Sequence, residues 1–270
     1  NNVRGFKVGD RVVSNKSHSE YVVSSENFTV KVPSEVIAEH ACFAILGSVA
    51  LNAIRIAKPE IGENCAVIGM GLVGILTSQL LKANGCNVMG VDINDEKLKF
   101  TENLGITSLK NNNDLKNKID FLTKNLGCDH VFIATNFKNS SSLDVASTIS
   151  RNRGKIILIG DADITFNRNI LYKKELSFYV SRSYGPGRYD YEFEKKNYKF
   201  PYEYIRWTLT SNISTFLELI KKNKISLSPL ITHKFKFEDS LSAFKLIQNN
   251  KIIKIGIILN YIEKDYKKDN

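Results

Sequence analysis

The sequence predicts an α/β protein organised on a doubly wound parallel sheet, and three observations carry that prediction. An apolar run, Ala66-Val67-Ile68, leads directly into Gly69-x-Gly71-x-x-Gly74. Behind that turn Leu76, Leu80 and Leu81 recur at helical spacing with Thr77, Ser78 and Gln79 between them, so the stretch reads strand, tight turn, helix. From there to residue 180, apolar runs of strand length alternate with helical patterns, which gives parallel strands joined by crossover helices on both faces.

Each glycine of the turn has a mechanical reading. Gly69 permits a sharp exit from the strand, Gly71 lets backbone approach a pyrophosphate with no Cβ in the way, and Gly74 allows helix and strand to pack closely. The phosphates would meet the unsatisfied N–H groups at the helix start. A second strand, residues 87–91, ends in Asp92, 18 residues past Gly74. There a carboxylate accepts hydrogen bonds from an adenosine ribose and repels the 2′-phosphate of NADP, so NAD is the expected cofactor. The plain alternative, an ordinary strand-to-helix turn, is weakened by strand, helix, second strand and acidic residue all falling in register. Met70, Leu72 and Val73 within the turn, Ile93 after Asp92, and Ala134 and Gly160 at later strand ends complete the expected cofactor-binding set, because ligands bind beyond the carboxyl ends of such strands.

Composition narrows the class. At 270 residues, 43% hydrophobic and 24% charged, the chain is long enough to bury a core. The net charge of +10 raises nucleic acid as a partner, but the excess is spread over pairs such as Lys173-Lys174, Lys195-Lys196 and Lys221-Lys222, with acidic neighbours, and forms no single stripe. No nucleic-acid partner is expected. The uncharged run over residues 41–54 is too short to span a bilayer. Cys42, Cys65, Cys86 and Cys128 form no CxxC pair and each adjoins an apolar stretch, which predicts buried free thiols in a reducing, cytoplasmic compartment. The chain opens on Asn1, and residues 4–13 read like the middle of a domain, so a start inside a domain is expected.

In chain order, residues 10–14, 20–23 and 28–32 read as three short strands. Ser34-Glu35 marks a helix start, and residues 38–57 read as one helix apolar nearly all round. After Asp92 come a helix over 95–104, a strand over 106–109, and a helix carrying Leu115, Ile119, Leu122 and Leu126 and capped by Gly127. A strand over 131–134, a helix over 143–149 and strands over 154–160 and 176–180 follow. Residues 181–190 form a Gly- and Pro-containing loop. Helices over 213–220 and within 237–247 and strands over 231–237 and 252–259 close the pattern, and the Lys/Asn-rich end from 264 is expected to fray.

This order of parts resembles the medium-chain dehydrogenase/reductase superfamily, the alcohol-dehydrogenase-like enzymes in which a Rossmann domain is inserted into a GroES-like, β-rich catalytic domain. Gly9-Asp10-Arg11-Val12 and His18-Ser19-Glu20-Tyr21-Val22 are similar to its GDRV and HAEYV segments. Val91-Asp92-Ile93-Asn94-x-x-Lys97 is similar to its ribose segment, in which Asp92 and Lys97 would contact the ribose. Thr232-His233-Lys234-Phe235 and Ile255-Gly256-Ile257-Ile258-Leu259 are similar to the return into the catalytic domain. The resemblance implies a partial GroES-like domain over 1–36 with its first half missing, an NAD(P)-binding domain over 37–180, a loop, helices and return over 181–262, and a disordered tail over 263–270. Tyr172-Lys173-Lys174-Glu175-Leu176, Ser181-Arg182-Ser183-Tyr184-Gly185-Pro186-Gly187-Arg188-Tyr189-Asp190 and Tyr204-Ile205-Arg206-Trp207-Thr208 resemble a bacterial subgroup often fused to a Gfo/Idh/MocA-type oxidoreductase and linked to surface-polysaccharide or other sugar metabolism.

The function so implied is transfer of a hydride between NAD(H) and an alcohol or carbonyl of a small, sugar-derived substrate, by a homo-oligomer; the alternative is a non-catalytic NAD-binding fragment or scaffold module. Zinc is not expected. The family's third catalytic ligand should fall near Ala44, where the nearest thiol is Cys42, and residues 14–19 hold none of the cysteines of a structural lobe. Catalytic candidates come from the loop after the sixth strand: Tyr184 as proton donor, Arg182 and Arg188 for an anionic substrate group. A rigid turn packing two domains together is the rival reading of that loop. Arg206-Trp207 lines a sugar pocket or is a surface Arg beside a buried Trp. His18, His40, His130 and His233 lack ligand spacing, and only His18 sits at the domain junction.

Overall fold

The computed structural model describes residue 3 and residues 5–136, 141–249 and 252–261. Its centre is a six-stranded, all-parallel sheet. In chain order the strands are β3 (Asn64–Ile68), β4 (Asn87–Asp92), β5 (Thr107–Lys110), β6 (Cys128–Ile133), β7 (Ser150–Leu158) and β8 (Ser177–Val180), in spatial order β5-β4-β3-β6-β7-β8. The chain moves outward from β3 to β5, then returns to β6 on the other side of β3. That reversal opens a crevice beside the end of β3, where open α/β sheets bind ligands.

Register lines up the strand ends. Ile68 pairs with Val91 and Ile133, Ile133 with Leu158, and Leu158 with Val180. Gly69, Asp92, Ala134, Ile159 and Ser181 therefore share one rim. Alternate residues feed two separate cores, as the period of two requires. Val67, Phe132 and Ile157 pack with α2 (Ala44–Ala57), α3 (Leu72–Ala83) and α9 (Leu209–Lys221), whereas Ala66, Ile68, Val131, Ile133 and Ile156 pack with α5 (Leu115–Leu122) and α6 (Ser141–Ile149). Both faces are covered, so the sheet is doubly wound, as the sequence predicts.

The flanking parts are smaller. β1 (Val12–Ser14) pairs antiparallel with β2 (Thr29–Lys31), and β9 (Ile231–Lys236) pairs parallel with β10 (Gly256–Asn260). Residues 20–23 form no strand: Tyr21, Val22 and Val23 are exposed and join no ladder among the described residues. The predicted single helix over 38–57 is two, α1 (Ala38–Ala41) and α2, and it starts after Ile37 and not at Ser34. At the break the Phe43 N–H turns to the His40 carbonyl, a tightened turn that aims the Phe43 ring at Gly256 of β10.

Three further differences have local causes. α5 stops at Leu122, because Lys124 and Asn125 take left-handed conformations, so Leu122 and Leu126 are exposed and Gly127 does not cap the helix. On α3, Thr77, Ser78 and Gln79 are buried along with the leucines. Thr77 Oγ1 and Ser78 Oγ satisfy themselves on carbonyls one turn back, and Gln79 bonds the backbone of Ser226 in both directions. Cys65, Cys86 and Cys128 are buried free thiols, but Cys42, at the α1 C-cap, is exposed. The remaining helices are α4 (Asp95–Glu102), α7 (Arg168–Lys174), α8 (Tyr191–Lys196) and α10 (Ser240–Gln248). The expected frayed tail, 263–270, lies outside the described residues. Among the described residues no helix is long and apolar enough to cross a membrane.

Candidate cofactor-binding site

The turn after β3 is built from backbone contacts that only small residues permit. Gly69, at φ +99°, donates its N–H to Val91 O at 2.7 Å. A Cβ on Gly74 would stand 1.8 Å from Gly69 O, so the first turn of α3 can lie against the strand exit only with hydrogen there. Gly71 is different. Its φ of −84° suits any residue, and a Cβ there would meet no protein atom within 4 Å. Neither strain nor packing demands glycine at 71. The space a side chain would fill is left open in front of the α3 N-terminus, whose first N–H groups have no side-chain cap.

Asp92 ties that turn to the second strand. Its Oδ2 accepts the Met70 N–H at 2.7 Å and its Oδ1 accepts the Asn94 N–H at 2.9 Å, while Lys97 Nζ stands 3.9 Å from Oδ2. Asn94 caps α4 by accepting the Lys97 N–H at 3.0 Å, which fixes where the lysine leaves the helix. A carboxylate has about four lone-pair directions, so two remain for other donors. Ile93 beside it is half-exposed, and Leu72 and Val73 are partly exposed on the first turn of α3. Met70 is fully buried against Gly90 of β4.

The other strand ends converge on the same place. Ala134 donates its N–H to Ile68 O at 2.8 Å, and Gly160 donates to Ile133 O at 3.0 Å. Gly69 faces the Ala134–Thr135 peptide, and a Cβ on Gly160 would come within 2.0 Å of Thr135 O. The structure thus brings together Gly69, Met70, Gly71, Leu72, Val73, Gly74, Asp92, Ile93, Lys97, Ala134 and Gly160 along one rim. Thr135, buried between the two glycines, was not foreseen, and its only sequence signal is its place directly after a buried strand.

The loop after β8 is held as a rigid turn. Asn52 of α2 donates to Ser181 Oγ at 3.0 Å, and Asn212 of α9 donates to Tyr184 O at 3.0 Å. Leu209 donates its N–H to Pro186 O at 2.8 Å. Tyr184 points inward: it is 3% exposed, edge-on to Phe28, and its hydroxyl accepts from Asn15 Nδ2 at 2.8 Å. Burial pushes its pKa above the ordinary tyrosine value, so it is protonated at neutral pH. That placement packs the ring against Phe28 beside Asn15. Arg188 is ion-paired with Glu194 at 2.6 Å, whereas Arg182 is exposed and lies over the Tyr189 ring at 4.7 Å. Asn52, which merely interrupts an apolar helix in the sequence, is the anchor that spacing could not reveal.

The histidines stay apart. His18 is exposed, His40 Nε2 meets Ser228 Oγ at 3.0 Å, His130 is buried with Nε2 2.8 Å from Glu63, and His233 Nδ1 meets Thr232 Oγ1 at 3.0 Å. Among the described residues no three His, Cys, Asp or Glu side chains converge as metal ligands. Ala44 is fully buried in α2, and the Cys42 thiol donates to Ala38 O, so the described donor set does not fit zinc.

Comparison with known proteins adds the family context. Residues 73–195 match the family model described as zinc-binding dehydrogenase. The chain is 26% identical over 250 residues to a D-xylulose reductase of Saccharomyces cerevisiae, covering 89% of this chain and 63% of the relative. It is 28% identical over 233 residues to sorbitol dehydrogenase 1 of the same yeast, covering 83% and 59%. Among solved structures, 2R,3R-butanediol dehydrogenase from Bacillus subtilis superposes with a TM-score of 0.70 at 21% identity, over 86% of this chain and 60% of that one. The chain therefore spans about 60% of the length of the proteins it matches. Residues 73–195 and the yeast relatives make the chain similar to dehydrogenases of the medium-chain type, and the solved structure shares its fold.

Proposed function

We propose that this chain holds NAD on the 69–74 turn and serves hydride transfer between that cofactor and an alcohol or carbonyl of a small, sugar-derived substrate. One observation carries the reading: Gly71 leaves an open space in front of an uncapped helix N-terminus, beside the Asp92 carboxylate. The residues present fit a dinucleotide. The N–H groups at the start of α3 are the donors for a pyrophosphate. The free lone pairs of Asp92 accept from ribose hydroxyls with Lys97 beside them, and the same carboxylate disfavours the 2′-phosphate of NADP. Ile93, Ala134 and Gly160 line the way along the rim. When bound, the nicotinamide supplies or accepts the hydride, and the protein orients it and excludes water.

Xylulose reductase and sorbitol dehydrogenase are the yeast relatives' activities, which supports a polyol or sugar-derived substrate here. Arg182, exposed and without a carboxylate partner among the described residues, is the cation offered to an anionic group of that substrate. The division at residues 36 and 180, and kinship of the 181–208 segment with the sugar-linked, fusion-forming subgroup, belong to the same proposal. So does a homo-oligomer, for which the edge strand β8, with Tyr179 and Val180 exposed, is the available surface. Buried free thiols support a reducing, cytoplasmic setting. The test is a fluorescence titration with NADH followed by turnover with xylitol and sorbitol. Saturable NADH binding with turnover supports the enzyme, and binding without turnover supports the non-catalytic module. No binding at millimolar cofactor removes both.

A further inference from the structure

The indole of Trp207, the chain's single tryptophan, is held between two cations. Arg55 Cζ lies 3.2 Å from the ring centroid and Arg206 Cζ 3.7 Å. Two guanidinium groups cannot share one face at those distances, so they flank the ring. Each is attracted by the indole, but they repel one another. Burial, and then the Arg206 charge, bring the Arg55 pKa down to about 10. Arg55 reaches Thr215 Oγ1 through Nη2 at 3.3 Å, and its Nε is buried with no partner. Among the described residues no carboxylate is ion-paired with Arg55, Arg206 or Lys199.

Arg206 also opens onto a cavity of about 470 Å³ between the Glu26–Phe28 turn and α9. That size suits a small ligand. Lys199 is a second cation on its wall, Phe200 and Tyr202 give aromatic faces, and Ser211 and Ser214 give hydroxyl oxygens; Glu26 is the acid on its lining. Aromatic faces suit the C–H face of a sugar ring, hydroxyls suit its alcohols, and a guanidinium with an ammonium suits a carboxylate or phosphate. We propose that this cavity binds an anionic sugar, its acid group between Arg206 and Lys199 and its ring against Phe200 and Tyr202. None of the supporting observations comes from the dinucleotide turn, so the site stands or falls separately from NAD binding.

Trp207 makes the test direct, since all indole emission comes from the ring beside Arg206. Emission is followed during titration with glucose 6-phosphate, glucuronate, glucose and inorganic phosphate, with circular dichroism confirming the fold of each variant. A saturable change with either anionic sugar, absent with glucose and weakened at least about tenfold in both Lys199→Gln and Arg206→Gln, is expected for loss of a charged hydrogen bond. Whichever anionic sugar acts identifies the acid group as phosphate or carboxylate. Lys199 is an exposed side chain, so its replacement leaves the fold intact. The proposal is overturned by no saturable response up to roughly 10 mM, a range reaching well past millimolar affinity. It is equally overturned by a response to glucose as strong as to the anionic sugars, by response to inorganic phosphate alone, or by unchanged affinity in a folded Lys199→Gln.

Discussion

Replacing Gly71 and Gly74 separately by alanine splits the two jobs that a glycine-rich turn combines. A methyl at 74 would be driven to 1.8 Å from the Gly69 carbonyl oxygen, so strand exit and helix must move apart. Overpacking of that kind costs about 1–3 kcal/mol, and displacement of α3 weakens cofactor binding as a consequence. A methyl at 71 meets no protein atom within 4 Å and sits at an ordinary φ. Its effect on stability is within about 0.5 kcal/mol, as for surface substitutions. If a pyrophosphate occupies that space, the methyl stands where the phosphate must approach, and NADH affinity falls by about tenfold or more, equivalent to roughly 1.4 kcal/mol. Urea denaturation measures the first quantity and NADH fluorescence titration the second. A Gly71→Ala protein that binds NADH as tightly as the parent would refute the reasoning, because the open space would then have no ligand to accommodate.

Other expectations follow from single contacts. Asp92→Ala leaves the buried Met70 N–H without its acceptor and destabilises the fold by about 1–3 kcal/mol in urea titration, whereas Asp92→Asn keeps an acceptor and narrows the preference for NADH over NADPH. Tyr184→Phe removes a hydroxyl bonded to exposed Asn15, so stability falls by no more than about 1 kcal/mol and turnover survives; a collapse of kcat at unchanged KM would instead make Tyr184 the proton donor. Burial lowers the folded-state pKa of His130 below its unfolded value, so the unfolded chain binds the extra proton. Its contribution to stability is therefore present above the unfolded pKa of about 6.5 and is lost as pH falls through the folded one. Denaturation midpoints measured from pH 7.5 to 5 should show that slope in the parent and a smaller one in His130→Gln.

Much of the fold could be read in advance because periodicity and burial agree there. The apolar runs at 66–68 and 131–133 are buried on both faces, which makes them continuous, and the glycine turn follows from backbone geometry that few residues permit. Reading failed where tertiary partners decide. Residues 20–23 have strand chemistry but join no ladder among the described residues, and Thr77, Ser78 and Gln79 are polar yet buried because their donors and acceptors are met locally or by Ser226. At the site, Asp92 is legible as the acidic end of the second strand, but its grip on the Met70 N–H is not, since that bond joins two turns 22 residues apart. Tyr184 had the chemistry of a proton donor, and only packing shows it turned toward Asn15 and Phe28. The Arg55–Trp207 contact joins α2 to the segment before α9, a distance no local pattern spans.

The decisive measurement is the affinity of the purified chain for NADH beside its affinity for NADPH. Saturable NADH binding, at least about tenfold tighter than NADPH because the Asp92 carboxylate meets a hydroxyl in one and a phosphate in the other, is the expected result. Binding of neither cofactor at millimolar concentration, or tighter binding of NADPH, would contradict the assignment of the 69–74 turn and Asp92 to an NAD site.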